Sequence, residues 1–278
     1  MTLEQSTLTE PVTLNNGVSI PRIGLGVYES PQGEVTREAV RAALACGYRH
    51  VDTARVYRNE LDVHEAVVNT DVPRTDVFVT TKLWNDHHGY DEALRAFDVS
   101  HERLGGVPID LFLIHWPVPE KRRETWRALE RIYEQGLARA IGVSNYAEHH
   151  MIELLARCNV PPAVNQIELS PFYRRDALVA LCAREGVAIE AYSPLTRGVR
   201  LADPRLARLA DKHRATPAQI LIRWGLGRGY VVLPKSVRAS RIEENFAALE
   251  VALDEEDWSV LDGLDEQLIT CWDPTPVP

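Results

Sequence analysis

The sequence predicts a (β/α)8 barrel, and three observations carry that prediction. Eight short β-rich runs alternate with helix-like segments, an order that calls for a parallel sheet with helices outside it. The chain has 278 residues, and ~250 is the usual size of the closed barrel. It also lacks the G-x-G-x-x-G fingerprint that marks many open doubly wound sheets. The open sheet is the alternative architecture. No linker-like or low-complexity stretch divides the chain, so residues 1–278 read as a single domain.

The elements follow in order. VTLNNGVSIP (12–21) reads as an N-terminal β-hairpin, because Asn16-Gly17 suits a tight primed turn. The strand candidates are RIGLGVY (22–28), YRHVDTA (48–54), DVFVTTKLW (76–84) and IDLFLIHW (109–116). LARAIGVSN (137–145), PAVNQIELS (162–170), GVAIEAYSPL (186–195) and YVVLPKS (230–236) complete the eight. VTREAVRAALACG has helical spacing, with Val35, Ala39, Ala42, Ala43 and Cys46 on one face and Gly47 as a stop. KRRETWRALERIYEQG sets Trp126, Leu129, Ile132 and Tyr133 on one side. TPAQILIRWGLGRG opens with Thr216 as cap and Pro217 at the first helical position. RASRIEENFAALE follows the last strand as a helix, and DEQLITCWDPTPVP forms a C-terminal tail placed near the barrel mouth. GLGRG (225–229) precedes a strand instead of following one, which makes it a poor phosphate loop.

Composition narrows the function. A net charge of -9 disfavours nucleic acid, which needs a basic footprint. Cys46, Cys158, Cys182 and Cys271 are widely spaced, so no disulfide framework or zinc site is expected, and a reducing cytoplasm is the simpler setting. The N-terminal MTLEQSTLTEPVT is polar and acidic, unlike a signal peptide, and no apolar run approaches the ~18 residues of a membrane span.

Polar residues recur at the carboxyl ends of the strands. Asp52, Lys82, His115, Ser144-Asn145, Gln166 and Glu168, Tyr192-Ser193 and Lys235-Ser236 would all gather at one barrel mouth, where active sites of this fold lie. Singly each has an ordinary explanation: Asp52 as a helix cap, Lys82 as a solvated loop lysine, His115 as a core histidine, Tyr57 as an amphipathic tyrosine. Together they describe a proton donor. A free phenol has a pKa near ~10. An ammonium beside it is expected to lower that value, with Asp52 holding Lys82 charged and His115, as a neutral imidazole, bonding the substrate oxygen or the phenol. Such a donor serves a carbonyl oxygen that is gaining charge, and it needs a hydride source, because none of these side chains is a reductant.

GYRHVDTA, LIHWP, IGVSN, AVNQIELSP, AYSPL and LPKSVRASRIEEN, in this order, closely resemble the aldo-keto reductase family. KLWNDHHG (82–89) further resembles its bacterial 2,5-diketo-D-gluconate reductase branch. The resemblance implies an NADPH-dependent carbonyl reductase acting on a small-molecule aldehyde or ketone; a monomer in the cytoplasm is expected, with no metal. It implies Asp52, Tyr57, Lys82 and His115 as the catalytic four, with Tyr57 as general acid. For the cofactor it implies Ser144, Asn145 and Gln166 on the carboxamide, Tyr192 on the nicotinamide ring and Ser193 and Leu195 along the pyrophosphate. It further implies Lys235, Ser236 and Arg241 at the 2′-phosphate and Glu244 and Asn245 at the adenine. LPKSVRASR supports the phosphate assignment by itself, since it clusters Lys235, Arg238 and Arg241 within an acidic chain. Tyr28, Trp84, Trp116 and Trp272 are the expected substrate wall. Two other readings are a lyase using Lys82 as a Schiff-base nucleophile and a non-catalytic NADPH-binding interaction subunit.

The chain departs from the family pattern in places. Arg58 follows Tyr57 where the family has glycine, so it is either strained at positive φ or relaxed in a first helical turn. Ser170 stands where histidine is frequent, and Tyr28 where tryptophan is. These substitutions bear on substrate range and remove no catalytic group.

Overall fold

In the computed structural model, which describes residues 8–278, eight parallel strands close into a barrel. The short hairpin β1 (Val12–Thr13) and β2 (Ser19–Ile20) precedes them. The barrel strands are β3 (Leu25–Gly26), β4 (His50–Asp52), β5 (Phe78–Leu83), β6 (Ile109–Ile114), β7 (Ala138–Ser144), β8 (Val164–Glu168), β9 (Ala188–Tyr192) and β10 (Val231–Leu233). Neighbours follow chain order, and parallel bridges Ile23↔Val232 and Gly26↔Lys235 close the cylinder. All eight strands lie within the segments expected from sequence.

Side-chain alternation decides what fills the cylinder. Phe78, Thr80 and Lys82 form one inward row on β5. The lower layer is apolar: Phe78, Leu111, Leu113, Ala140, Val164 and Val231 pack with Leu14 and Ile20 of the hairpin, which plugs that end. Polar groups occupy the upper layers, so the site rests on a sealed floor. The larger cluster lies between strands and helices and includes Ala39, Val40, Phe97, Trp126, Leu129 and Trp224.

The helices and the hairpin show two corrections. On α1 (Glu34–Cys46) the buried face is Thr36, Ala39, Val40, Ala43 and Leu44, rotated from the expected one, and Val35 faces solvent. The β1–β2 turn is not a two-residue primed turn. Leu14 and Val18 pair across three residues, and only Gly17 takes positive φ, at 84°. Asn16 uses its side-chain oxygen to accept the Val18 N–H instead. Between β5 and β8 lie α3 (Tyr90–Arg103), α4 (Arg122–Glu134) and α5 (Glu148–Leu155), after α2 (Glu60–Val68). Then come α6 (Asp176–Arg184), α7 (Pro204–His213), α8 (Pro217–Gly227), α9 (Ala239–Phe246) and α10 (Glu255–Asp262). The α8 start is as expected: Thr216 and Gln219 form a reciprocal capping box ahead of Pro217. Among the described residues no helix is long and apolar enough to cross a membrane.

Candidate active site

The barrel brings Asp52, Tyr57, Lys82 and His115 together. Lys82 is 0 % exposed on β5. Its Nζ donates to both Asp52 oxygens, at 2.6 and 2.7 Å, and to Thr53 O at 2.9 Å. Tyr57 Oη lies 3.5 Å from the same nitrogen. Those contacts suit an ammonium; a Schiff-base nucleophile needs a free lone pair, which this arrangement denies it.

Tyr57 sits in a 3₁₀ turn (Arg55–Tyr57) just after β4. Thr53 donates to Asn59 Oδ1 at 2.7 Å and Asn59 Nδ2 donates to Val27 O at 3.0 Å, which ties the turn to the barrel rim. Arg58 then turns the chain into α2 at φ 61°, so of the two conformations open to it the strained one is realised. The Tyr57 ring packs at 5.0 Å from Tyr28 and 5.7 Å, edge-on, from His115.

Electrostatics correct one expectation. Burial, reinforced by the Asp52 charge, holds the Tyr57 phenol well above its ordinary range, the reverse of the lowering expected from a neighbouring ammonium. Lys82 cannot reverse this, because its charge is already matched by Asp52 at much shorter distance. His115 follows expectation: burial, then the Lys82 charge, hold its imidazole well below the usual range, so it is neutral. Its Nδ1 is buried without a hydrogen-bond partner.

Further around the mouth, Asn145 takes φ 64° and donates to His115 O at 2.9 Å and Ser144 Oγ at 3.0 Å. Ser144 Oγ donates to Gln166 O, and Tyr192 Oη donates to Asn145 Oδ1 at 2.7 Å. Gln166 reaches across the cylinder to Asp52 at 2.8 Å. Ser193 and Leu195 lead into a turn (Thr196–Gly198) whose Arg197 pairs with Glu29 across the cleft. At the far end, Ser236 Oγ accepts the Arg238 N–H at 3.1 Å, Lys235 reaches Glu29 O, and α9 begins with no side-chain cap and no acidic residue. Among the described residues neither Arg238 nor Arg241 forms an ion pair. Uncapped N–H groups beside three cations suit a phosphate, so the residues fit a phosphorylated dinucleotide. Glu244 accepts from Thr216 at 2.9 Å and Asn245 is buried.

Trp84, Asn85, His115, Trp116 and Trp272 line a cavity of about 180 Å³. Trp84 stands edge-on to His115 at 5.1 Å, and Trp272 edge-on to Tyr28 at 6.3 Å. Sequence reasoning missed the anchor that brings Trp272 there. Glu168, buried at the end of β8, accepts the backbone N–H of Thr270 at 2.8 Å and of Cys271 at 3.1 Å, and also the Thr270 hydroxyl. It missed Asn85 too, although NDH directly follows Lys82-Leu83-Trp84. It missed Glu190 and His50, whose signal was a polar residue inside otherwise apolar runs.

A family model described as Aldo/keto reductase family matches residues 22–266. The chain belongs to that family. As an aldo/keto reductase it is an oxidoreductase built on the barrel expected from its strand–helix alternation. It is 47% identical over 256 residues to an aldo-keto reductase of Mycolicibacterium smegmatis, covering 91% of this chain and 93% of that protein. It is 42% identical over 261 residues to a glyoxal reductase of Bacillus subtilis, covering 94% and 95%. A mutant of Gox0644 crystallised with NADPH superposes with a TM-score of 0.92 at 38% identity, covering 97% and 99%. The cofactor expected of this aldo/keto reductase is thus the one that this solved neighbour carries.

Proposed function

We propose that this aldo/keto reductase uses NADPH to reduce small aldehydes and ketones to alcohols, with Tyr57 as the proton donor. The observation that carries the reading is the Lys82 ammonium, held by Asp52 and standing 3.5 Å from the Tyr57 hydroxyl beside neutral His115. When bound, NADPH supplies a hydride to the carbonyl carbon.

The chain's own residues do the rest. Burial keeps the proton on Tyr57 until a stronger base appears, and an alkoxide forming on the substrate is such a base. Lys82 then stabilises the charge passing to the phenol oxygen, and His115 donates a hydrogen bond toward the substrate oxygen. Ser144, Asn145 and Gln166 orient the carboxamide and Tyr192 backs the nicotinamide ring. Ser193 and Leu195 follow the pyrophosphate, Lys235, Ser236 and Arg241 take the 2′-phosphate, and Glu244 and Asn245 border the adenine.

The cavity of about 180 Å³ is smaller than the ~300 Å³ at which drug-sized ligand pockets begin. That favours a short carbonyl compound, in keeping with the name of the glyoxal reductase relative. Trp84, Trp116 and Trp272 form its walls, and Tyr28, edge-on to Trp272 at 6.3 Å, extends the aromatic surface beside it. We further read the whole chain as one domain acting as a cytoplasmic monomer, a setting in keeping with its four free thiols.

The test is NADPH consumption, followed by absorbance, against glyoxal, α-keto esters, sugar-derived ketones and bulky aromatic ketones. Turnover should be highest for the shortest carbonyls. Binding of NADPH with no oxidation across the panel would instead favour a non-catalytic role.

A further inference from the structure

Beneath the Asp52–Lys82 pair lies a carboxyl group that the proposed reaction does not use. Glu190 sits in the middle of β9, its side chain 0 % exposed. Its register partner on β8 is Gln166. Gln166 Nε2 donates at 2.5 Å to Glu190 Oε2 and at 2.8 Å to Asp52 Oδ2. Both amide hydrogens are therefore taken by carboxyl groups, and the Gln166 carbonyl oxygen is left for another donor.

We propose that Glu190 is a positioning residue: by accepting one amide hydrogen of Gln166 it fixes that side chain with its carbonyl oxygen toward the nicotinamide carboxamide, and it holds the Asp52 end of the catalytic pair in register. The inference rests on the NADPH reading of the cleft. Geometry restricts the alternatives. Rotating the Gln166 amide by half a turn would set its oxygen against the Asp52 carboxylate, which has no hydrogen to donate, so the 2.8 Å contact with Asp52 holds only in the orientation seen.

Charge balance points the same way. The ionisable groups facing Glu190 are His50 and Asp52 on β4 and Lys82 on β5, and Gln166 is its neutral polar neighbour. His50 Nε2 is 3.5 Å from Glu190 Oε1 and 3.0 Å from Thr80 Oγ1. Burial, then the Lys82 charge, pull His50 down to about 3, so it adds no cation. One ammonium and one carboxylate already balance. Burial, then the Asp52 charge, push Glu190 up to about 8. At neutral pH it is a protonated acid whose Oε2 still accepts from Gln166. Once ionised it becomes a second anion in the core, opposing the negative charge that Tyr57 acquires on releasing its proton.

The test uses the full chain, NADPH and glyoxal. Glu190→Leu removes the acceptor, Glu190→Gln keeps an acceptor oxygen that cannot ionise, and Gln166→Ala removes the amide. NADPH dissociation constants come from quenching of tryptophan fluorescence, and kcat is followed from about pH 6 to about pH 9.5. Glu190→Leu and Gln166→Ala should each weaken NADPH roughly tenfold, the scale of one oriented hydrogen bond, and Glu190→Gln should stay within about twofold at low pH. Wild-type kcat should fall as pH rises through about 8, and Glu190→Gln should hold its rate to higher pH. Undiminished NADPH affinity in Glu190→Leu, with Gln166→Ala impaired, overturns the inference. Undiminished affinity in Gln166→Ala overturns the cleft reading beneath it. If Glu190→Leu does not fold, a Glu190→Gln pH profile superimposable on that of wild type overturns the inference.

Discussion

Replacing Lys82 with methionine isolates the electrostatic part of the proposed chemistry. The Nζ stands 3.5 Å from Tyr57 Oη, and a full unit charge at that separation, with an effective dielectric constant of ~20, would favour a phenolate by about 5 kcal/mol. Asp52, bonded to the same nitrogen at 2.6 and 2.7 Å, cancels part of that field. A net ~2–4 kcal/mol is the resulting figure, which corresponds to a fall in kcat of roughly 30- to 1,000-fold. Methionine keeps most of the buried volume. Asp52, left without its counter-ion, takes up a proton in place of staying charged in the core, so the variant should fold at reduced melting temperature. The phosphate-side cations are untouched, and NADPH affinity should change by no more than about threefold. The assay is kcat at saturating NADPH and glyoxal, with fluorescence titration of the cofactor and circular dichroism of the fold. A folded variant that keeps kcat within about threefold of wild type would refute the role given to Lys82.

Other perturbations test separate parts. Tyr57→Phe keeps the ring contacts with Tyr28 and His115 and deletes only the proton donor, so kcat should fall at least ~100-fold with cofactor affinity intact; stopped-flow hydride transfer at the normal rate would contradict it. Arg241→Ala should weaken NADPH by about 10- to 100-fold while leaving NADH nearly unchanged, and equal losses in titration would move the 2′-phosphate elsewhere. Arg58→Gly relieves a φ of 61° and should raise stability by about 0.5–1 kcal/mol after glycine's entropy is counted, read as a higher urea midpoint. Glu190 binds its proton more tightly folded than unfolded, so its contribution to stability is complete below about pH 4.5 and is lost as pH rises through about 8. The wild-type melting temperature should fall across that window relative to Glu190→Gln.

Much of this molecule was legible in its sequence because the signals were local. A strand's carboxyl end is visible in IDLFLIH or FVTTKL, and the fold class alone then brings such ends to one mouth. Thr216-Pro217 declared a helix start by the same local chemistry. The features that escaped depend on partners distant in the chain. Glu168 holds residues 102 and 103 positions away, and no pattern around either partner announces the pairing. Glu190 and His50 sit inside apolar runs, where a lone polar residue reads as a surface position until the barrel closes around it. The phenol's elevated proton affinity escaped for a different reason: proximity to an ammonium was visible, but not that Asp52 stands closer to that ammonium than the phenol does. Arg58 posed two conformations that sequence could state and only the backbone could choose between.

The tail's attachment to Glu168 has a consequence for how such an enzyme changes its appetite. Two of the three donors are main-chain amides at residues 270 and 271, groups that nearly every amino acid supplies. The fastening is therefore indifferent to the side chain at position 272, and Trp272, 58 % exposed, hangs from it like an exchangeable visor. On the proposed reading of Trp272 as a wall of the substrate cavity, mutational drift at that one position widens or narrows the doorway while the cord that holds the visor in place stays as it is.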